Sequence, residues 1–578
     1  MPQAVRLLND PLPEEGHPFF QDGQWLWEKN YPEGLSWHTP LLKTPLFKLV
    51  DQAAEKFPDN LFFDFTGQVM SYAQAKREVD RIAKGLQEIG VGKGVHVGLF
   101  LPNTPYSILF HYGILKAGST VVNYNPLYVE RELISQIEDS STDIMITTDA
   151  PALYDKIESL RKKTRLKKIV ICPMASIPPL VENTPVCVSE VPGDAQHIHY
   201  RDLVKNDGGF TLPAVDIEND IAVLQYTGGT TGVPKGAMLT HACISANVDQ
   251  LTHWMSRVAT PGEESIMGVL PFFHVFAMTV VMHCSVRLGK KIIIHQKFDL
   301  NEVLESLRVH RPTFFPAVPA VFNAIANCAA IRSEDFSNLK YCISGGAPLP
   351  GDVRRLFEEK TGCKAMREGY GLTEASPGVT FNPATGFMKP GSIGLPLPHT
   401  IIDIINPDTG ALMPSGEHGE VCVRGPQVMK GYYNKPEETT GVLQEGRLRT
   451  GDIGFIDDDG YLHLVDRLKD MIIVRGYNVY PRIVEEAIYL HPAVEECIVA
   501  GVPDAERGES VWAWVKPVAG KPLTEKDLEK FLIDKISAIE RPRKIIIRDT
   551  PLPKTAVGKL SKKDLLLQEG IVRNVQAG

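Results

Sequence analysis

The 578-residue chain predicts an α/β fold, with a large N-terminal body of two layered α/β subdomains plus a β-rich subdomain, followed by a small α+β C-terminal domain. Three observations predict it. Amphipathic helical stretches alternate with short apolar runs through roughly the first 400 residues, the pattern of helices laid over parallel sheets. After Thr400 the texture changes to short runs separated by turn formers. Beyond Asp466 a charged Arg-Leu-Lys-Asp segment leads into about a hundred residues with strands and helices of their own, enough for an independent core.

Apolar spacing from Tyr72 to Ile89 predicts a helix closing at Gly90. Strands follow at His96 to Leu101, Ile144 to Thr148, Lys168 to Ile171, Ile221 to Tyr226, Lys291 to His295 and Tyr341 to Ser344. The stretch from Ile266 to Val286 has nearly the length of a membrane span, but Pro271, His274 and His283 interrupt it, so a buried strand and helix are expected. The turn signals Asp-Thr-Gly, Gly-Glu-His-Gly and Asp-Asp-Asp-Gly mark antiparallel structure over 400–466. The body is therefore read as residues 1–466 and the small domain as 467–578, with a hinge near Lys469.

With 43% hydrophobic and 23% charged residues the chain reads as an ordinary globular protein and not as a disordered one. Its net charge of -9 works against a nucleic acid partner and against broad attraction to anionic lipid, so any anionic ligand needs a local site. The nine cysteines are scattered without metal-ligand spacing and read as reduced, packed thiols. The N-terminal residues lack the basic end and apolar run of a secretory signal, and the C-terminal Gln-Ala-Gly is no peroxisomal address, so a cytoplasmic location is expected.

The strand ending at Tyr226 runs into Thr227-Gly-Gly-Thr-Thr-Gly-Val-Pro-Lys. Glycines let backbone N–H groups approach phosphate, hydroxyls donate to its oxygens and Lys235 adds a point charge. The loop is not a Walker loop, because no Gly-Lys-Ser or Gly-Lys-Thr follows at the required spacing. YTGGTTGVPKGAMLTH resembles the signature loop of the adenylate-forming superfamily of acyl-CoA synthetases, luciferases and peptide-synthetase adenylation domains. LPFFHVFAM at 270–278, ISGGAPLP at 343–350, EGYGLTEASP at 368–377, RTGDIG at 449–454, VDRLKDMIIVRGYNVYP at 465–481 and LPKTAVGKL at 552–560 resemble its successive motifs in order. VVNYNPLYVERELISQIEDS at 121–140 and VMKGYYNKPEET at 428–439 look most like bacterial long-chain fatty acid:CoA ligases.

The resemblance implies ATP and coenzyme A as co-substrates, Mg²⁺ as the metal and a fatty acid of medium to long chain as the acid. It places Thr227, Gly228, Gly229, Thr231, Gly232, Lys235, Gly345, Gly346, Ala347, Glu368, Gly369, Tyr370, Gly371, Thr373, Asp452 and Arg467 around the nucleotide. Tyr370 would stack on adenine against the Gly345–Ala347 wall, and Asp452 would accept the ribose hydroxyls with Arg467 donating nearby. Glu374 with the Thr230 hydroxyl would hold the metal against the phosphates. His274 would sit beside the acid, although a lone histidine in an apolar run is more often a core residue. Phe272, Phe276 and Met278, with Val281 and Met282, could line an acyl pocket, and no aspartate stands among them to pair an amino acid's ammonium. Lys559 would bridge the carboxylate and the α-phosphate. The small domain would then be mobile about Lys469, bringing Arg475, Gly476 and Tyr477 to a CoA channel.

Other readings from the same residues are a ligase for aryl or short- to medium-chain acids, a fatty acyl-AMP ligase, and an inactive lipid-binding homologue. The last would be expected to lack Lys559 or Glu374, and both are present. Peripheral association with the inner face of the membrane and a homodimer are both compatible with the sequence.

Overall fold

The computed structural model describes residues 16–174, 188–227, 234–475, 477–504, 506–555 and 558–571. A seven-stranded sheet runs Lys235–Thr240, Ile221–Thr227, Thr120–Asn123, His96–Leu99, Ile144–Thr148, Lys168–Cys172, His197–His199. Every neighbour pair is parallel except the first. The central strands His96–Leu99, Thr120–Asn123 and Ile144–Thr148 are buried at every position, as expected when helices cover both faces.

A nine-stranded sheet is parallel through its centre, from Met366–Gly371 across to Leu61–Phe65, and antiparallel at both edges. The early hairpin Leu61–Phe65 and Gln68–Ser71 belongs to this second sheet, with Ile292 beside Phe63, so the two α/β subdomains interleave in sequence. The predicted first helix is Tyr72–Glu88. Ser71 caps it by accepting the Gln74 N–H at 3.3 Å while Gln74 Oε1 accepts the Ser71 N–H at 2.8 Å. Gly90, at φ +94°, then lets Val91 N–H return to the Leu86 carbonyl at 2.9 Å.

The long apolar stretch resolves into the strand Ser265–Gly268, a π-helical turn Ala277–His283 and the helix Cys284–Leu288. No helix among the described residues is long and apolar enough to cross a membrane.

Five antiparallel strands, including Ile401–Ile405, Gly419–Arg424, Arg447–Ile456 and Leu462–Arg467, make the β-rich part. Its buried Asp403 accepts from Arg424 at 2.8 Å, Arg447 at 2.7 Å and His17 at 2.9 Å. Burial alone would raise its carboxyl, but His17 and Arg424 outweigh that and hold it down to about 2.

The small domain builds its sheet on the hairpin Val494–Asp504 and Gly508–Pro517, with Lys544–Ile547 added in parallel. Val484, Ile488, Val499, Ala513 and Leu528 form a core distinct from that of the body, and Trp514, Leu552 and Leu565 form another.

Candidate active site

A cleft of about 3540 Å³ opens between the body and the small domain. Its floor is made at the carboxyl ends of body strands: Thr227 ends Ile221–Thr227, Gly345 to Ala347 follow Tyr341–Ser344, and Glu368 to Gly371 end Met366–Gly371. Strand ends are where parallel sheets leave backbone groups free for a ligand.

Gly228, Gly229, Thr230, Thr231 and Gly232 lie outside the described residues, as does Gly476. The two ends of the loop are paired with one another, Thr227 against Lys235. Lys235 Nζ stands 5.2 Å from the centre of the Tyr432 ring, and the Tyr432 hydroxyl donates to Glu374 Oε1 at 2.7 Å. Burial and then the Glu374 charge push the Tyr432 hydroxyl far up, so it stays a donor. The segment around it is laced to the strand Lys235–Thr240, with Met238 N–H on the Gly431 carbonyl and Tyr433 N–H on the Gly236 carbonyl, both at 2.8 Å. Sequence reasoning treated 428–439 only as a family resemblance and missed Tyr432. Its signal was a pair of aromatics after Lys-Gly, unusual for an exposed connection.

The nucleotide wall is tightly tied. The Tyr370 hydroxyl donates to Asp452 Oδ2 at 2.5 Å, and Arg467 Nε donates to Asp452 Oδ1 at 3.2 Å. Asp452 and Arg467 face each other on paired strands, so a β register sets this contact. Each Asp452 oxygen keeps a second lone pair, so the carboxylate can still accept hydroxyls. Glu368 accepts the Leu349 N–H at 3.1 Å, and burial pushes its carboxyl up to about 7. Thr373 and Glu374 open a short helical turn at the cleft edge.

Gly346 has a φ of +82°, and a Cβ there would lie 3.1 Å from Lys559 Cε and 3.5 Å from Nζ. Glycine therefore serves twice, for the backbone and for the lysine's approach. Lys559 comes from the small domain on a tight loop in which Thr555 N–H donates to its carbonyl at 2.7 Å and Thr555 Oγ1 accepts its N–H at 3.2 Å. Burial first, then Arg467, lowers its ammonium to about 8 against the pull of Asp452.

Beside Lys559 stands His274, neutral because burial and then the lysine charge lower it to about 3. Its Nδ1 accepts the Phe276 N–H at 3.2 Å, so the neutral ring carries its proton on Nε2 and is a donor there. The Phe276 ring would lie 3.2 Å from a Cβ on Gly345.

The residues expected to line an acyl pocket separate in the structure. Phe272 and Met278 pack into the body core and are not among the described residues lining the cleft; of the three acyl-pocket residues only Phe276 reaches it. The reason is geometric: the π-helical turn aims Met278 inward, where its sulfur takes Asn123 Nδ2 at 3.5 Å, and Val281 and Met282 are equally buried. Arg475 and Tyr477 are exposed and lie outside the cleft lining in this arrangement, whereas Lys469 lines it. The eight described cysteines are free thiols, and Cys342 and Cys363 approach to 3.9 Å between sulfurs.

Such a cleft, with the ends of a glycine- and hydroxyl-rich loop, an aromatic wall, the Asp452 carboxylate and a lysine from a second domain, has the groups a nucleotide-using ligase needs. The chain belongs to the AMP-binding enzyme family: residues 50–433 match that family's model, and residues 483–559 match its C-terminal domain. It is 40% identical to the long-chain-fatty-acid–CoA ligase of Bacillus subtilis over 94% of this chain and 98% of that protein. The enzyme of the same name from Escherichia coli O157:H7 is 34% identical over 93% of this chain and 97% of its own. The ATP-bound crystal structure of MatB from Rhodopseudomonas palustris superposes with a TM-score of 0.81 at 28% identity, covering 92% of this chain and 99% of that one.

Proposed function

We propose that the protein is an ATP-dependent fatty acid:CoA ligase of the AMP-forming type, acting on medium- to long-chain acids. The carrying observation is the convergence of Lys559, neutral His274 and Phe276 on one end of a nucleotide wall formed by Gly345, Gly346, Tyr370 and Asp452. Similarity along nearly the whole chain to enzymes named long-chain-fatty-acid–CoA ligases supports the same reading.

A carboxylate is a poor acyl donor, so the acid must first attack the α-phosphorus of ATP, releasing pyrophosphate and leaving an acyl-adenylate. Positioning and charge neutralisation supply most of such catalysis. Tyr370 and the glycine wall hold adenine, Asp452 accepts the ribose hydroxyls, and Thr227, Thr373 and Lys235 face the phosphates. His274 donates from Nε2 to the acid's carboxylate, and Lys559 gathers the negative charge shared between that carboxylate and the α-phosphate. Mg²⁺, when bound, neutralises the polyphosphate charge. The Glu374 carboxylate, steadied on one oxygen by Tyr432, fits a metal that takes one or two protein oxygens beside phosphate and water, with the Thr230 hydroxyl as its companion.

In the second step the CoA thiol attacks the acyl carbonyl and AMP leaves. Lys559 then has no role, and the small domain, expected at residues 467–578, turns on the body about Lys469, with Arg467 staying on the body strand Leu462–Arg467. Arg475, Gly476 and Tyr477 would thereby reach the thiol's route. A long-chain acid partitions into lipid, so the protein is further proposed to be cytoplasmic and to meet its substrate peripherally at the inner membrane face, which vesicle flotation checks.

Purified protein given ATP, CoA and a ladder of carboxylic acids should release AMP at rates that climb with chain length, since each buried methylene contributes about 0.8 kcal/mol until the pocket ends. A flat response, or preference for benzoates, would replace this substrate class with an aryl or shorter acid.

A further inference from the structure

The strand Leu462–Arg467 closes the body's β-rich sheet, and its residue Asp466 is held in register opposite Ile453. Asp466 Oδ1 accepts the Arg467 N–H at 2.7 Å, while Oδ2 reaches across the boundary to accept the N–H of Arg482, also at 2.7 Å. Arg482 is the second residue of the small-domain helix Pro481–Tyr489. Pro481, the first residue of that helix, has no N–H to offer. The first donor of the helix is therefore satisfied by a carboxylate that belongs to the other domain, at the end of the helix dipole that favours negative charge.

From this helix the contact continues to the reactive lysine. Glu485 accepts the Val499 N–H at 2.8 Å and pairs with Lys562 at 3.2 Å. Lys562 opens the helix Lys562–Gln568 only three residues beyond Lys559, and its charge also acts on Asp466. A line of contacts thus runs from a rigid body strand, through one helix end, to the loop that places Lys559 over Gly346.

We propose that Asp466 is a positioning residue that latches the small domain in its adenylating orientation by capping the helix Pro481–Tyr489 across the domain boundary. The inference rests on the two-step reading above. Asp466 precedes the hinge at Lys469 and stays with the body, whereas Arg482 and Lys562 travel with the small domain. Rotation separates the carboxylate from both. A contact made in only one of two orientations shifts their populations by its own free energy.

The test uses the full-length protein carrying one fluorophore on the body and one on the small domain, with Asp466→Ala and Asp466→Asn as variants. With ATP present, Asp466→Ala should move the orientation equilibrium away from the latched state by about tenfold, the scale of losing a helix cap. Acid-dependent exchange of pyrophosphate into ATP should fall by a similar factor, while thioester formation from supplied acyl-AMP and CoA is unchanged or faster. Asp466→Asn keeps an acceptor for the Arg482 N–H and should recover part of each effect. An unchanged interdomain distance, or an equal fall in both half-reactions with a lowered Tm, would reduce Asp466 to a structural cap and overturn the latch. Orientation is read without turnover, so if wild-type protein showed no fatty-acid-dependent exchange, the ligase reading would fall while the distance shift still decided for or against the latch.

Discussion

The body and the small domain contribute to one cleft in opposite ways. The body supplies a surface: Gly345, Gly346, Tyr370 and Asp452 each sit on or just past a sheet strand, and the last two are bonded to one another. The small domain brings Lys559 up to Gly346 on a short loop backed by a separate core. A surface that binds the nucleotide through both steps gains from being rigid. A charge needed in one step is better carried on a part that can leave, and the contrast teaches that the two half-reactions should be separable by mutation.

The sharpest attempt to break this contrast is Lys559→Ala. Loss of a charge aimed at the transition state should cut acyl-AMP formation on the order of 10²- to 10³-fold, and leave thioester formation from supplied acyl-AMP much less affected. Equal damage to both steps would refute the division. The same lysine makes a pH statement. Its folded pKa is depressed to about 8, so its charge is present below that pH and is lost as pH rises through it. The kcat/KM of adenylation should therefore fall about tenfold per unit above that value, a limb absent from Lys559→Ala.

Gly476→Trp is the reverse experiment. Bulk at the proposed thiol route should silence CoA-dependent turnover by about a hundredfold while pyrophosphate exchange persists. Loss of exchange at a normal Tm would show that Gly476 also serves adenylation, and the two-orientation reading would be wrong.

Within the body the effects should be smaller and shared by both steps. Asp452→Ala removes the partner of both Tyr370 and Arg467, and each bond to a charged group contributes roughly 1.5 to 3 kcal/mol. ATP affinity by calorimetry should weaken by about ten- to a hundredfold. Tyr432→Phe deletes one hydroxyl bond to the Glu374 carboxylate, at the low end of that range at about 1.5 kcal/mol, so the Mg²⁺ concentration for half-maximal ATP binding should rise about tenfold. An effect on acid binding instead would mean that Tyr432 does not act through Glu374.

Much of the body could be read ahead of the structure because its signals are local. Helix Tyr72–Glu88 was legible from apolar spacing and the closing Gly90, both local in sequence. The parallel strands were legible from fully apolar runs, which only a sheet covered on both faces tolerates. The interleaving of 61–71 with strands near residue 292 was not legible, because pairing across more than two hundred positions leaves no mark in either segment alone.

For the candidate site, the sequence by itself determined the chemical inventory: a glycine- and hydroxyl-rich loop, Tyr370, Glu374, Asp452 and Lys559 in a fixed order. It could not determine which apolar residues face the acid. Phe272, Phe276 and Met278 are equivalent as hydrophobic residues, yet Phe276 reaches the cleft while Phe272 and, on the π-helical turn, Met278 are buried. Only the tertiary structure decided that Tyr432 meets Glu374, that Arg467 meets Asp452, and that Asp466 caps a helix of the other domain. The physical reason is that side-chain type is a local property, whereas direction and partner are set by strand register and domain packing, to which residues far apart in the chain contribute together.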